Sequence, residues 1–78
     1  MTSSIDRHDL LARLLRELRT RVELTQTDVA VALGKPQSYV SKYESGERRL
    51  DLVELSDLCS VLGISLTDLV SQFEKRRA

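Results

Sequence analysis

The chain has 78 residues, 41% of them hydrophobic and 31% charged, and its formal net charge is zero; these values fit one globular domain over residues 1–78 rather than a disordered or membrane-spanning chain. A single cysteine and a single histidine exclude a disulfide within the chain and the ligand cluster of a metal site. They also leave no catalytic constellation, so we expect no enzyme, no cofactor and no small-molecule ligand.

The first predicted helix runs from about Asp9 to Val22. Apolar residues recur there at helical spacing, with mostly charged residues between them. They are Leu11, Leu14, Leu15, Leu18 and Val22. This period is typical of an amphipathic helix that packs one apolar face against a core.

The next two predicted helices are short and lie close together. Thr25-Gln26-Thr27-Asp28 has the spacing of a capping box, in which the first and last residues each hydrogen-bond the other's backbone amide. The helix that it opens ends at Gly34, because glycine readily adopts the left-handed conformation of a helix C-terminus. Lys35-Pro36 then breaks the chain, and proline suits the first turn of a third helix over 37–44. A helix-turn-helix is therefore predicted over about residues 25–44.

Two further helices are predicted between about residues 51 and 73. Asp51 and Ser65 each open an apolar, helix-periodic segment with an acidic residue three positions later, which is again the pattern of a capping box. No stretch alternates with a period of two residues, so no strand is predicted. The expected fold class is all-α, a compact five-helix bundle that contains a helix-turn-helix.

The third predicted helix carries small polar residues where a purely structural helix would usually expose lysine and glutamate. Their spacing places four of them on one face: Gln37, Ser38, Ser41 and Lys42. Glutamine can read adenine through two hydrogen bonds, lysine favours the acceptors of guanine, and serine can serve either base. These residues are therefore candidate base contacts in the major groove of double-stranded DNA, with the third helix as the reading helix.

The distribution of charge is compatible with this partner, although the sum is zero. Basic residues slightly outnumber acidic ones through Arg49, whereas residues 50–74 include acidic residues and no lysine or arginine. A phosphate-facing surface therefore belongs to the first half of the chain. Net neutrality predicts weak non-specific binding, because few counterions are released in each encounter.

The same segment resembles the Xre or lambda-repressor-like helix-turn-helix family. The resemblance rests on Leu24-Thr25-Gln26-Thr27-Asp28-Val29-Ala30, on Leu33-Gly34 and on Val40-Ser41-Lys42-Tyr43-Glu44-Ser45-Gly46. With the Arg16–Arg19 helix and Leu62-Gly63-Ile64, it covers nearly the whole chain. It implies that four residues contact the DNA backbone: Gln26, Tyr39, Arg48 and Arg49.

The resemblance also implies a buried ion pair between Arg19 of the first helix and Glu44 of the reading helix. Loss of one partner would leave an unpaired buried charge and cost about 3–5 kcal/mol. Two positions depart from the family pattern. Glu23 stands where many members have glycine, and Pro36 stands where a serine or threonine cap, worth roughly 1 kcal/mol, is common.

The fourth and fifth predicted helices carry more apolar residues than one small core can face. The residues concerned are Val53, Val61, Ile64, Leu66 and Val70. Either they complete the core or they form the interface of a symmetric homodimer, and we favour the dimer. Twofold symmetry would place two reading helices roughly 34 Å apart on a pseudo-palindromic operator.

The expected function is sequence-specific transcriptional regulation in the cytoplasm, since neither a signal peptide nor a membrane span is recognisable. Within the family that it resembles, this small chain is similar to phage repressors and to the controller proteins of restriction-modification systems. Two alternatives stay open. One is an antitoxin-type regulator that also binds a toxin, and the other is a protein-interaction module that has lost DNA binding.

Overall fold

The computed structural model describes residues 6–77, and their side chains through residue 76. The five predicted helices are confirmed, and no strand occurs within the described range. The helices are α1 Arg7–Arg21, α2 Gln26–Leu33, α3 Gln37–Ser45, α4 Leu52–Leu62 and α5 Leu66–Arg77. None of the helices in this range is long and apolar enough to cross a bilayer.

Side-chain caps set the start of most of these helices. Asp6 Oδ1 accepts a hydrogen bond from the His8 amide at 2.8 Å, so α1 begins two residues earlier than the leucine pattern predicts. The predicted capping box at Thr25 and Asp28 is present, with both reciprocal hydrogen bonds at 2.9–3.0 Å. Pro36 is the N-cap of α3 rather than its first helical residue, and it supplies no capping hydrogen bond. The capping box predicted at Asp51 and Glu54 is present with both hydrogen bonds. At the predicted box of Ser65 and Asp68, the Asp68 amide donates to the Ser65 hydroxyl.

All five helices contribute to one apolar core. Its buried members are Leu14, Leu15, Leu18, Val29, Ala30, Val40, Tyr43, Leu58, Cys59, Leu62 and Leu69. α3 contributes only Val40 and Tyr43, which lie on the side of the helix that faces α1 and α2. Burying this narrow stripe fixes α3 on the body of the domain and leaves its polar residues on the outside.

The C-terminus of α1 is closed by a residue in the left-handed conformation. The Leu24 amide donates to the Arg19 carbonyl at 3.2 Å and the Glu23 amide to the Thr20 carbonyl at 3.0 Å, which is a Schellman motif. The residue that must turn the chain is Glu23, with φ 62°. In α2 the equivalent residue is Gly34, with φ 69°. A side chain in this conformation costs about 1–2 kcal/mol, whereas glycine adopts it without that penalty.

Replacement of Glu23 by glycine is therefore expected to stabilise the domain. After the entropy that glycine loses on folding, the net gain is about 0.5–1 kcal/mol. Thermal unfolding followed by circular dichroism should show a Tm higher by about 2–8 °C. Glu47→Gly is the matched control. Glu23 is the only non-glycine residue with positive φ among those described, so glycine relieves no strain at Glu47 and should lower the Tm there. A lower Tm for Glu23→Gly would show that the turn is not strained.

Candidate nucleic-acid interface

The outer face of α3 holds the four candidate base contacts. Gln37, Ser38 and Lys42 are exposed and Ser41 is half-buried, whereas Val40 and Tyr43 on the opposite side are buried. The Lys42 ammonium makes no ion pair within the described residues. α3 therefore presents amide, hydroxyl and ammonium groups to the solvent from a helix whose position the core has fixed.

A buried ion pair connects α3 to α1. Arg19 Nε lies 2.7 Å from Glu44 Oε2, and Arg19 Nη2 donates to Glu44 Oε1 at 3.0 Å. The two side chains are 11% and 3% exposed, so water screens this pair very little. The third nitrogen of the guanidinium, Nη1, donates to the Leu24 carbonyl at 2.8 Å. The hydrogen bonds to Glu44 raise the pKa of Arg19 above its ordinary value.

The ion pair continues into a chain of side-chain amides. Gln26 Nε2 donates to Glu44 Oε1 at 3.0 Å, and Gln26 Oε1 accepts from Gln37 Nε2 at 2.6 Å. A carboxylate can only accept, so Glu44 fixes which way the Gln26 amide faces, and Gln26 in turn fixes Gln37. Gln37 keeps its carbonyl oxygen and one N–H for another partner, which are the two groups needed to read adenine. No local sequence pattern predicts this link, because the two glutamines meet only when α2 and α3 pack.

A second cluster surrounds Tyr39, which is half-buried at the start of α3. Its ring packs edge-on against Tyr43, with centroids 5.7 Å apart. The Arg48 guanidinium lies 4.7 Å from the centroid of the Tyr39 ring, and the Lys35 ammonium lies 5.4 Å from it. Burial, followed by the negative charge of Glu54, raises the pKa of the Tyr39 hydroxyl. Tyr39 is therefore both a packing residue and part of the charged surface.

Arg48, expected at the DNA backbone, is held by a carboxylate of its own chain. Its Nη2 donates to Glu54 Oε2 at 2.9 Å and its Nη1 to Glu54 Oε1 at 3.3 Å. Arg48, together with the Asp51 amide, lowers the pKa of Glu54 to about 2. The sequence marked Glu54 only as a capping residue, since the contact depends on the path of the loop after α3. Arg49, by contrast, is exposed and forms no ion pair within the described residues.

The five residues expected at a dimer interface divide into two groups. Val61, Ile64 and Leu66 are half-buried and pack against the core of their own chain. Val53 and Val70 are 70% and 48% exposed, and Leu52, which is not among the five predicted interface residues, is 65% exposed. Part of the expected interface therefore serves the monomer, and α4 and α5 still expose apolar side chains.

A protein-family model, a related protein and two solved structures all show similarity to this chain over more than half of its length. A family model described as helix-turn-helix, HTH_3, matches residues 15–69. The control protein C.MunI of Mycoplasma sp. is 36% identical over 62 residues, which are 78% of this chain and 84% of that protein. An XRE-family like protein from Pseudomonas syringae pv. tomato is 42% identical, with a TM-score of 0.83 over 92% of this chain and 88% of that one. The restriction-modification controller C.AhdI from Aeromonas hydrophila is 37% identical, with a TM-score of 0.72 over 77% of this chain and 91% of that one.

Proposed function

This chain belongs to the Xre-type helix-turn-helix family and is a DNA-binding transcriptional regulator, and from that premise we propose that it binds a pseudo-palindromic operator as a homodimer. The observation that carries the proposal is the polar outer face of α3, held in place by the hydrogen-bonded chain from Arg19 through Glu44 and Gln26 to Gln37. A reading helix must present its side chains in fixed positions, because base edges are discriminated by hydrogen-bond geometry. The proposed activity is binding alone, without catalysis.

Base recognition is assigned to the exposed end and outer face of α3. Gln37 is oriented by Gln26 and offers one donor and one acceptor to a base edge. Lys42 lies on the same face and offers three donors to the acceptors of guanine. Ser38 and Ser41 add hydroxyl groups that can donate or accept. Sequence preference follows from this set, while the affinity common to all sequences comes from the DNA backbone.

Backbone contacts are assigned to residues on either side of α3. Gln26 is the first residue of α2, where the unpaired amides of a helix N-terminus attract a phosphate. Tyr39 lies in the first turn of α3, and Arg48 and Arg49 lie in the loop that leads from α3 to α4. Phosphate contacts at both ends of the reading helix would set its register in the groove.

The similarity to C.MunI and C.AhdI supports a role of the controller type. Both are small proteins that the chain covers over most of their length, and C.AhdI is a restriction-modification controller. A single module of this size has a small footprint on DNA, and a dimer doubles it. We therefore propose that a twofold dimer binds two half-sites about one helical turn apart.

A gel-shift titration against the DNA just upstream of the coding region tests the proposal. Random duplex serves as competitor, the salt concentration is varied, and the mass of the protein in solution is measured in parallel. Competitor-resistant binding by a dimer is the expected result. Binding that competitor abolishes would call for selection of sites from a random pool, and failure there too would favour the protein-interaction module.

The exposed valine of α4 provides a test of the dimer without DNA. Val53→Asp is expected to weaken dimerisation by at least about tenfold, since a charge would be buried against an apolar surface. Sedimentation equilibrium measures the change. Val31→Asp on α2 is the matched control, because that valine is 74% exposed and lies outside α4 and α5. Equal dissociation constants for the two variants would place the dimer interface elsewhere.

A further inference from the structure

Glu54 holds Arg48 from a fixed position at the start of α4. Glu54 Oε1 accepts a hydrogen bond from the Asp51 amide at 2.9 Å, and the Glu54 amide donates to Asp51 Oδ1 at 2.8 Å. The same carboxylate accepts both hydrogen bonds from Arg48. The capping box therefore prevents Glu54 from following the arginine when it moves away.

A carboxylate and a DNA phosphate compete for the same donors of an arginine. Both fit the planar fork of the guanidinium through two parallel hydrogen bonds. In the unbound protein Glu54 occupies the fork formed by Nη1 and Nη2 of Arg48. Arg48 must therefore leave Glu54 in order to bind a phosphate through the same two nitrogens. The Tyr39 ring, 4.7 Å from the guanidinium, can support the arginine in either position, because its face attracts a cation whatever the anion beyond it.

We propose that Glu54 is a specificity-determining residue, which retains Arg48 in non-specific complexes and releases it only when α3 is seated in its operator. The inference rests on the proposed function, in which Arg48 contacts the backbone. At a random sequence the protein is not held at a fixed distance from the phosphates, and the neighbouring carboxylate keeps the arginine. At the operator, base contacts from α3 hold a phosphate beside the loop, and the exchange becomes favourable. One phosphate contact is thereby confined to the correct site.

Glu54→Gln tests the proposal, because glutamine can still accept from the Asp51 amide and keep the capping box. Binding to random duplex is expected to tighten about threefold or more. The slope of log Kobs against log salt for that duplex should steepen by about 0.9, as expected for one added phosphate contact. Operator binding should change less, so the ratio of the two affinities falls.

Asp57→Asn is the matched control, since it removes one negative charge from the same helix at an exposed residue that makes no ion pair within the described residues. An equal effect of Asp57→Asn and Glu54→Gln on random duplex would overturn the inference, because net charge alone would then explain it. In an Arg48→Ala background the proposal requires Glu54→Gln to have no effect beyond that of Asp57→Asn. The unfolding midpoint of Glu54→Gln verifies that α4 is intact.

Arg48→Ala distinguishes failure of this inference from failure of the proposed function. If Arg48→Ala leaves both duplexes bound as in the parent protein, the backbone contact itself is wrong and the inference falls with it. If Arg48→Ala weakens binding while Glu54→Gln behaves like Asp57→Asn, the backbone contact stands and Glu54 is only a capping residue. If Arg48→Ala weakens operator binding and leaves random duplex almost unchanged, while Glu54→Gln tightens random duplex, the proposal is supported.

Discussion

Glu44→Ala is expected to lower the free energy of unfolding by about 3–5 kcal/mol, the usual cost of leaving a buried charge without its partner. The Arg19 side chain is only 11% exposed, so water cannot replace the two hydrogen bonds that Glu44 accepts from it. Domains of this size are stable by only about 5–15 kcal/mol. Urea unfolding followed by circular dichroism should therefore show a marginally folded or unfolded variant.

Two further variants identify the origin of this loss. Glu47→Ala removes an exposed carboxylate from the loop after α3. Within the described residues this side chain accepts only from the Ser45 hydroxyl, at 3.2 Å, so stability should change by less than about 0.5 kcal/mol. Arg19→Met combined with Glu44→Leu removes both charges and should be more stable than Glu44→Ala, since no unpaired charge remains. If Glu44→Ala unfolded like the parent protein, the pair would not be buried as the structure describes.

Gln37→Ala is expected to weaken operator binding by about 1–3 kcal/mol while binding to random duplex stays nearly constant. This loss of binding free energy is the usual contribution of one base contact made through two hydrogen bonds. Loss of the Gln37 side chain removes a contact that only a base edge can satisfy, whereas the phosphate contacts remain. Gel-shift titration with both duplexes measures the two affinities, and selection of sites from a random pool should show relaxed preference at one position in each half-site.

Gln72→Ala, the same truncation on α5, is the control, and it should leave the ratio of operator to random affinity unchanged. The unfolding midpoint of Gln37→Ala should be close to that of the parent, because Gln37 is exposed. An equal loss of affinity for operator and random duplex would contradict the assignment. Gln37 would then act on the backbone or through Gln26 rather than on a base.

Local signals were sufficient to predict the five helices and their order. Capping residues, glycines at helix ends and apolar spacing act over a few residues, so they can be read without the fold. The ends of the helices depend on more than these local signals. Asp6 caps α1, so the helix begins at Arg7, two residues before the predicted start at Asp9, and Glu23 takes a left-handed conformation that a glutamate does not suggest.

The proposal that α3 reads DNA also comes from the sequence by itself, because the polar face of α3 is a property of neighbouring positions on one helix. Only the tertiary structure decided what surrounds those residues. The Gln26–Gln37 link, the Arg48–Glu54 pair and the contact of Arg76 with Glu17 at 2.6 Å each join different helices or a loop and a helix. Such contacts depend on packing angles and on the path of a loop. The packing angles and the loop path follow from burial of the whole core, and no local sequence pattern predicts them.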